Sequence, residues 1–190
     1  MISPYHAQQI KSLKNENLDR RLDQCWGVVR TSPEYLSKRK QELKVELNEL
    51  FLSTADLKKG SLLYEQQCSS CHILYGKGGH LGPELTGSGR SNLDYLLENI
   101  VDPNSAVSAD YRMNVLSLRD GRILSGMVAG QDRNSLTLRM PGSETVVSKE
   151  DIKKRETLEN SIMPVGLLDN LTQEERRDLI AYLMHSQPVN

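Results

Sequence analysis

Three side chains that could carry chemistry lie within five residues of one another. They are Cys68, Cys71 and His72, in the stretch YEQQCSSCHILYGKGGHLGPELTG (residues 64–87). Two thiols at this spacing can form a redox-active disulfide or bind zinc, and together with the adjacent histidine they can attach a haem. The glycines that follow could cradle a phosphate. The elements around the motif decide among these four chemistries.

The motif is predicted at the C-terminal end of a helix. The upstream residues STADLKKGSLLYEQQ favour a helix that begins at Ser53 or Thr54, with Asp56 in its first turn near the free N–H groups. On a helix the two cysteines lie one turn apart on one face, and the histidine comes next. Both sulfurs can then reach the vinyl groups at one porphyrin edge while the imidazole turns toward the iron, which is typical of c-type haem attachment.

The other three chemistries fit the surrounding sequence less well. A thioredoxin-like redox pair needs a strand before the motif, whereas a polar helix precedes this one. A zinc site needs further ligands at short spacing, and His6, His80 and His185 are scattered along the chain. The glycine run lacks the Gly-Lys-Ser/Thr of a phosphate-binding loop. Its glycines are therefore interpreted as loop residues that let the backbone approach a flat cofactor.

A haem iron also needs a second axial ligand, and Met163 is the candidate. It precedes Pro164 in a loop just ahead of a helix whose start is marked by a capping box of Thr172 and Glu175. Four other methionines are interpreted as core filler: Met113, Met127, Met140 and Met184. Proline fixes one backbone dihedral and biases the residue before it toward an extended conformation, so the loop is expected to be stiff.

These motifs give the chain a resemblance to class I cytochromes c. The resemblance is carried, in order, by CSSCH, GPELTG, SIMP and the closing LTQEERRDLIAYL. It implies one covalently attached haem c, with His72 and Met163 as the iron ligands and the carbonyl of Pro83 accepting the other imidazole N–H. It also implies that the first and last helices cross, with Gly60 and Tyr64 meeting Leu179 and Tyr182.

One long segment departs from a compact cytochrome c. Residues 111–152 change from a helical pattern to short strands (YRMNVLSL, RILSGMVAG, SLTLRM and ETVVS) separated by turn signals. We therefore predict a mainly α fold: an N-terminal helical extension (residues 1–52) and a cytochrome c domain (residues 53–190) that carries residues 111–152 as a small antiparallel β insertion.

The combination also resembles a narrower group, the haem-binding domain of planctomycete and verrucomicrobial type. The residues that carry it include DYR, DGRILSG and SIMPVGLLDNLT, and upstream LDQCWGVVR. Such domains are often found at the C-terminus of large exported proteins. The helical extension is expected either to pack against the haem domain or to form a solvated linker.

Composition limits the partners. With 24 basic and 25 acidic residues, charge gives no reason to expect nucleic acid, and the sequence has no apolar stretch long enough to span a membrane. A single Phe and a single Trp are few for one large core, which a buried prosthetic group would help to fill. The third cysteine, Cys25, is predicted to be a buried, inert thiol because it adjoins Trp26, and an intermolecular disulfide is the alternative.

Two functions follow from this reasoning. The first is single-electron transfer without substrate chemistry, to a redox partner protein or a fused dehydrogenase domain, with the strand insertion as a partner or homodimer surface. The alternative is a haem-based sensor or peroxidase-like enzyme with a displaceable sixth ligand, for which His80 is the nearest acid–base group. Because haem attachment in such proteins takes place outside the cytoplasm and the chain starts without a signal pattern, it is expected to be a processed or excised periplasmic or otherwise exported domain.

Overall fold

The computed structural model describes residues 2–189 and contains both helices and strands. The helices are α1 (Pro4–Ser12), α2 (Glu16–Cys25), α3 (Glu34–Glu46), α4 (Glu49–Leu52), α5 (Leu57–Gln67), α6 (Leu93–Val101) and α7 (Gln173–Met184). The strands are β1 (Gly27–Val29), β2 (Ile73–Leu74), β3 (Lys77–Gly78), β4 (Ala106–Ser108), β5 (Arg112–Leu118), β6 (Ile123–Gln131), β7 (Ser135–Met140), β8 (Ser143–Ser148) and β9 (Ile152–Ser161). Within residues 2–189, none of the helices has the length and apolar character needed to cross a membrane.

The prediction of a mainly α fold is wrong. Helices account for 39% of the chain and strands for 26%, and a five-stranded antiparallel sheet is present in the order β8-β7-β6-β5-β9. Four of its strands coincide with the four segments predicted between residues 111 and 148. In the fifth, β9, every residue from Lys153 to Asn160 is exposed, and the sequence shows no alternation of apolar and polar residues. Only the pairing with β5 therefore identifies this strand.

The described residues divide into two compact units. The first comprises residues up to Arg30 together with Asn104–Met163, and the second comprises Thr31–Pro103 together with the residues from Pro164 onward. The predicted domain boundaries at residues 52, 111 and 152 stay a prediction, because compactness does not test which segments fold independently.

The first unit is built around the five-stranded sheet. Alternating residues of its strands form a small core of buried Leu116, Leu118, Leu136, Leu138 and Val147. The helices α1 and α2 belong to this unit and form a second cluster with Trp26 and Ala106, while β1 pairs with β4.

Strand β1 begins at Gly27 and separates α2 from α3 within the predicted helical extension. A Cβ added there would lie 2.1 Å from the carbonyl oxygen of Val107 on β4, so the two strands need glycine at this position. Cys25 is a free, exposed thiol although Trp26 is buried. The prediction of a buried Cys25 is therefore wrong, because the two neighbours face different surroundings at the end of α2.

The second unit is helical and is held by the crossing of α5 and α7. A Cβ added to Gly60 would lie 2.1 Å from the carbonyl oxygen of Asp178, so the two backbones touch at this point. The rings of Tyr64 and Tyr182 lie 5.9 Å apart at their centroids, and Leu179 is buried in the same core. The crossing predicted from the resemblance is thus present, with the Asp178 backbone as an additional contact.

Residues 31–52 pack into this second unit. Leu36, Leu43 and Leu47 are buried in its core, and Lys40 of α3 forms a 2.7 Å ion pair with Glu98 of α6. This segment is therefore a packed helical cover and not a solvated linker.

Candidate haem-attachment site

The helix that carries the cysteine motif, α5, begins one turn later than predicted. Asp56 is its N-cap, and its carboxylate accepts the N–H groups of Lys58 and Lys59 at 3.0 and 3.2 Å. Ser53 and Thr54, which were predicted to begin the helix, instead follow the short helix α4. Capping by a carboxylate satisfies donors that would otherwise be free at the helix start.

The motif itself forms a tight turn where α5 ends. Cys68 is the C-cap of the helix, and its carbonyl oxygen accepts the N–H of Cys71 at 3.1 Å and of His72 at 2.9 Å. Both cysteines are partly buried. The predicted placement of the motif at a helix C-terminus is confirmed, and the turn brings the two thiols and the imidazole into one short segment.

A backbone carbonyl orients the His72 imidazole. Nδ1 of His72 lies 2.8 Å from the carbonyl oxygen of Pro83, and because a carbonyl only accepts, the ring donates from Nδ1. Nε2 is then the nitrogen with a free lone pair. Burial lowers the pKa of His72, which the Pro83 hydrogen bond partly opposes, so the neutral ring that can bind a metal is favoured.

Glycines of the following loop pack against the motif. A Cβ added to Gly78 would lie 2.0 Å from the His72 carbonyl oxygen, and one added to Gly79 would lie 2.1 Å from that of Ser70. At Gly82 an added Cβ would lie 2.4 Å from Cε1 of the His72 ring. These glycines thus let the loop backbone approach the attachment motif itself. The sequence had predicted only that they let the backbone approach a cofactor.

Two further backbone hydrogen bonds hold this loop against the motif. The N–H of Gly79 donates to the Ser69 carbonyl at 2.8 Å, and the N–H of Gly82 donates to the Cys71 carbonyl at 2.7 Å. Loop and motif therefore form a single hydrogen-bonded structure that orders the imidazole.

Tyr64 contacts the motif from the helix side. Its side chain is buried, and its hydroxyl donates to the carbonyl oxygen of His72 at 2.6 Å. Desolvation, together with the nearby Cys68 and Tyr182, raises the pKa of the Tyr64 phenol, so it stays a hydrogen-bond donor. The backbone of His72 is thereby fixed independently of its ring.

The thiol chemistry does not match that of a redox pair. Burial, with a smaller contribution from Cys71, raises the pKa of Cys68 to about 12. Reactive redox cysteines have a lowered pKa that favours the thiolate.

Within residues 2–189, no three His, Cys, Asp or Glu side chains cluster in a way that could hold a metal ion by themselves.

Met163, the predicted distal ligand, is the last residue of the first unit, whereas Cys68, Cys71, His72 and Pro83 belong to the second. Its side chain is partly buried, and its N–H donates to the Ser161 hydroxyl at 3.1 Å. Its role as a ligand stays a prediction. His80, the acid–base group considered for an enzymatic alternative, is exposed.

Sequence reasoning missed a buried cation in the second unit. The Arg90 guanidinium is buried, lies 5.0 Å from the centroid of the Tyr75 ring, and donates to the carbonyl oxygens of Leu183 (2.6 Å) and His185 at the end of α7. The Tyr75 hydroxyl donates to His185 as well. The sequence feature that could have indicated this cation is the position of Arg90 at the end of a glycine-rich loop, just before α6. These contacts join the loop after the motif to the last helix.

The residues present fit a covalently attached haem. The motif offers two free, partly buried thiols for thioether formation and one oriented imidazole with a free nitrogen, which together are the donor set that haem c requires. The surrounding core includes α6, where Leu96 and Leu97 are buried.

Comparison with known families supports this chemistry. The family model for cytochrome c oxidase, cbb3-type, subunit III matches residues 55–154, just over half of the chain. The match includes α5, the cysteine motif and most of the sheet, and it ends before Met163. No curated protein matches the chain. The match does not confirm the narrower planctomycete-type group. From the length and content of the match we conclude that the chain belongs to the cytochrome c family of cbb3-type oxidase subunit III.

Proposed function

We propose that this chain is a monohaem c-type cytochrome that passes single electrons, with thioether bonds from Cys68 and Cys71 and axial ligation by His72 and Met163. Family membership already indicates a haem c domain of the electron-transfer type. The observation that carries the finer proposal is the hydrogen bond between His72 and Pro83, which leaves Nε2 of an oriented imidazole available.

When bound, haem supplies an iron that takes up and releases one electron. The part played by the protein is to hold the ligands still. Pro83 fixes the ring of His72 and Tyr64 fixes its backbone, while the glycine loop prevents the motif from opening. Ligands held in place need little rearrangement when the charge on the iron changes, which favours rapid electron transfer.

We further propose that the chain is not an enzyme, that it is exported to the periplasm, and that it belongs to the planctomycete-type group. Support for the first comes from the exposed position of His80, which leaves no enclosed acid–base group from the sequence analysis. Support for export comes from family membership, since cytochrome c domains are usually exported. The partner is a redox protein or a fused dehydrogenase domain, and the edge strands of the sheet are a candidate surface for it or for a homodimer.

Replacing Met163 by alanine tests the distal ligand. The variant should keep its haem, as measured by intact mass and a pyridine haemochrome assay. It should lose the weak thioether-to-iron band at the red end of the visible spectrum, and its reduction potential should fall because thioether ligation favours the reduced iron. Met140→Ala, at the end of β7, is the matched control and should change neither quantity. An unchanged spectrum in Met163→Ala would assign the ligand to another residue, and a chain purified without covalent haem would refute attachment.

A further inference from the structure

The segment directly after the Met163-Pro164 pair is ordered within the second unit. Gly166 adopts a φ of +87°, and its carbonyl oxygen accepts the N–H of Asp169 at 3.0 Å, which closes a turn. Leu168 and Leu171 are buried in the core. Residues 165–171 are thus held by their own turn and by two apolar anchors.

Helix α3 packs against one side of this segment. Leu36, Leu43 and Leu168 line a cavity of about 20 Å³, a volume that holds about one water molecule, so the packing is close. At the edge of the same cavity, Nε of Arg39 lies 3.1 Å from Oδ1 of Asp169. An apolar contact and an ion pair therefore join α3 to the turn.

A buried ion pair makes the second connection. The carboxylate of Glu46, the last residue of α3, accepts from Nε and Nη2 of Arg176 at 2.7 and 3.1 Å. The side chains are 10% exposed for Arg176 and 17% exposed for Glu46. A bidentate pair of this kind fixes the guanidinium plane.

That guanidinium in turn holds the segment. Nη1 of Arg176 donates to the carbonyl oxygens of Leu168 (3.4 Å) and Leu171. Glu46 therefore acts on residues 168–171 through Arg176. Loss of the Glu46 carboxylate would leave a buried, unpaired cation and free it to turn away from the carbonyls.

We propose that α3 is a clamp that sets how firmly Met163 stays on the iron, with Glu46 and Arg39 as its positioning residues. This inference rests on the proposed function of Met163 as distal ligand. Between the clamped segment and Met163 there is only Pro164, whose φ is fixed. A methionine tethered this closely to an ordered segment loses little entropy on binding, and loosening the segment raises that entropy cost. An external nitrogen base then competes with Met163 more successfully.

The test is imidazole binding to the oxidised, haem-loaded full chain, followed by loss of the thioether-to-iron band. Glu46→Gln should increase the affinity for imidazole by about tenfold, which corresponds to ~1.4 kcal/mol. Arg39→Gln, which removes a more exposed pair, should move it in the same direction by a smaller factor. The matched control is Asp94→Asn, which removes the acid of another α3 ion pair, Lys44–Asp94, without touching residues 165–171; its affinity should equal that of the wild type.

Amide hydrogen exchange gives a second readout that needs no iron ligand. In Glu46→Gln, residues 165–171 should exchange faster while α5 is unchanged, and Asp94→Asn should match the wild type in both. If Glu46→Gln does not fold, Arg39→Gln carries the same two comparisons.

The outcomes separate this inference from the function on which it rests. The clamp alone is overturned if the wild type shows the thioether-to-iron band but Glu46→Gln and Arg39→Gln match it in both imidazole affinity and hydrogen exchange. A wild type that has covalent haem but lacks the band overturns Met163 ligation and the clamp together, and a chain without covalent haem overturns the proposed function at its first step.

Discussion

Replacement of Gly82 by alanine examines the packing of the loop on the histidine. The added Cβ would lie 2.4 Å from Cε1 and 2.7 Å from Nδ1 of His72, whereas ordinary contacts begin near 3.4 Å. The loop or the ring must therefore move by roughly 1 Å. Such a shift would stretch the 2.8 Å hydrogen bond between Nδ1 and the Pro83 carbonyl beyond its useful range. Overpacking and the lost hydrogen bond together should lower the free energy of unfolding by about 2–4 kcal/mol.

The assay is urea unfolding followed by circular dichroism. Gly87→Ala is the matched control in the same loop, because a Cβ there would meet no atom within 4 Å in the part of the chain from residue 2 to residue 189. The control should leave stability unchanged or raise it by up to about 1 kcal/mol. Equal stabilities for the two variants would refute the conclusion that Gly82 packs tightly on the imidazole.

Two more predictions concern the second unit. Gly60→Ala should destabilise it by at least about 3 kcal/mol, because the methyl group would lie 2.1 Å from the Asp178 carbonyl oxygen. Thermal unfolding measures this loss, and a change below about 1 kcal/mol would contradict direct contact of the two helices. Tyr64→Phe should flatten the alkaline part of the stability profile. Burial raises the folded pKa of Tyr64 above its ordinary 10.0, so its contribution is fully present below pH 10 and falls as the pH rises further; a profile identical to that of the wild type would contradict a neutral, buried phenol.

Local pattern predicted much of the site. The attachment motif at the end of a helix and the capping box at Thr172 and Glu175 both appear in the structure. The carbonyl of Pro83 at the histidine, which the family resemblance implied, is present as well. The four hairpin strands from residue 112 to residue 148 were also predicted, because turn residues separate alternating apolar segments. In each case the signal lies within a few residues of the feature that it specifies.

Other features depend on partners far away along the chain. The last strand, β9, contains only two apolar residues, Ile152 and Leu158, and is defined by its pairing with β5. Its sequence shows no apolar alternation, so the strand content was underestimated and the prediction of a mainly α fold is wrong. Cys25 was predicted buried from its neighbour Trp26, but burial is decided by the surrounding elements and Cys25 is exposed. The buried guanidinium of Arg90 was missed for the same reason, since its carbonyl partners lie on α7.

The sequence by itself therefore determined the chemistry of this protein: two cysteines and a histidine at the spacing of haem attachment, followed by the glycines and proline that can approach them. That spacing is a covalent property of the chain, and the short turn at the end of α5 brings the three side chains into one segment. Only the tertiary structure decided which atoms the glycines of the loop contact, that α3 packs against residues 165–171, and that a mostly polar segment becomes the edge strand β9. Those outcomes depend on surfaces contributed by residues distant in sequence, and the free energy of such contacts is not encoded in any local pattern.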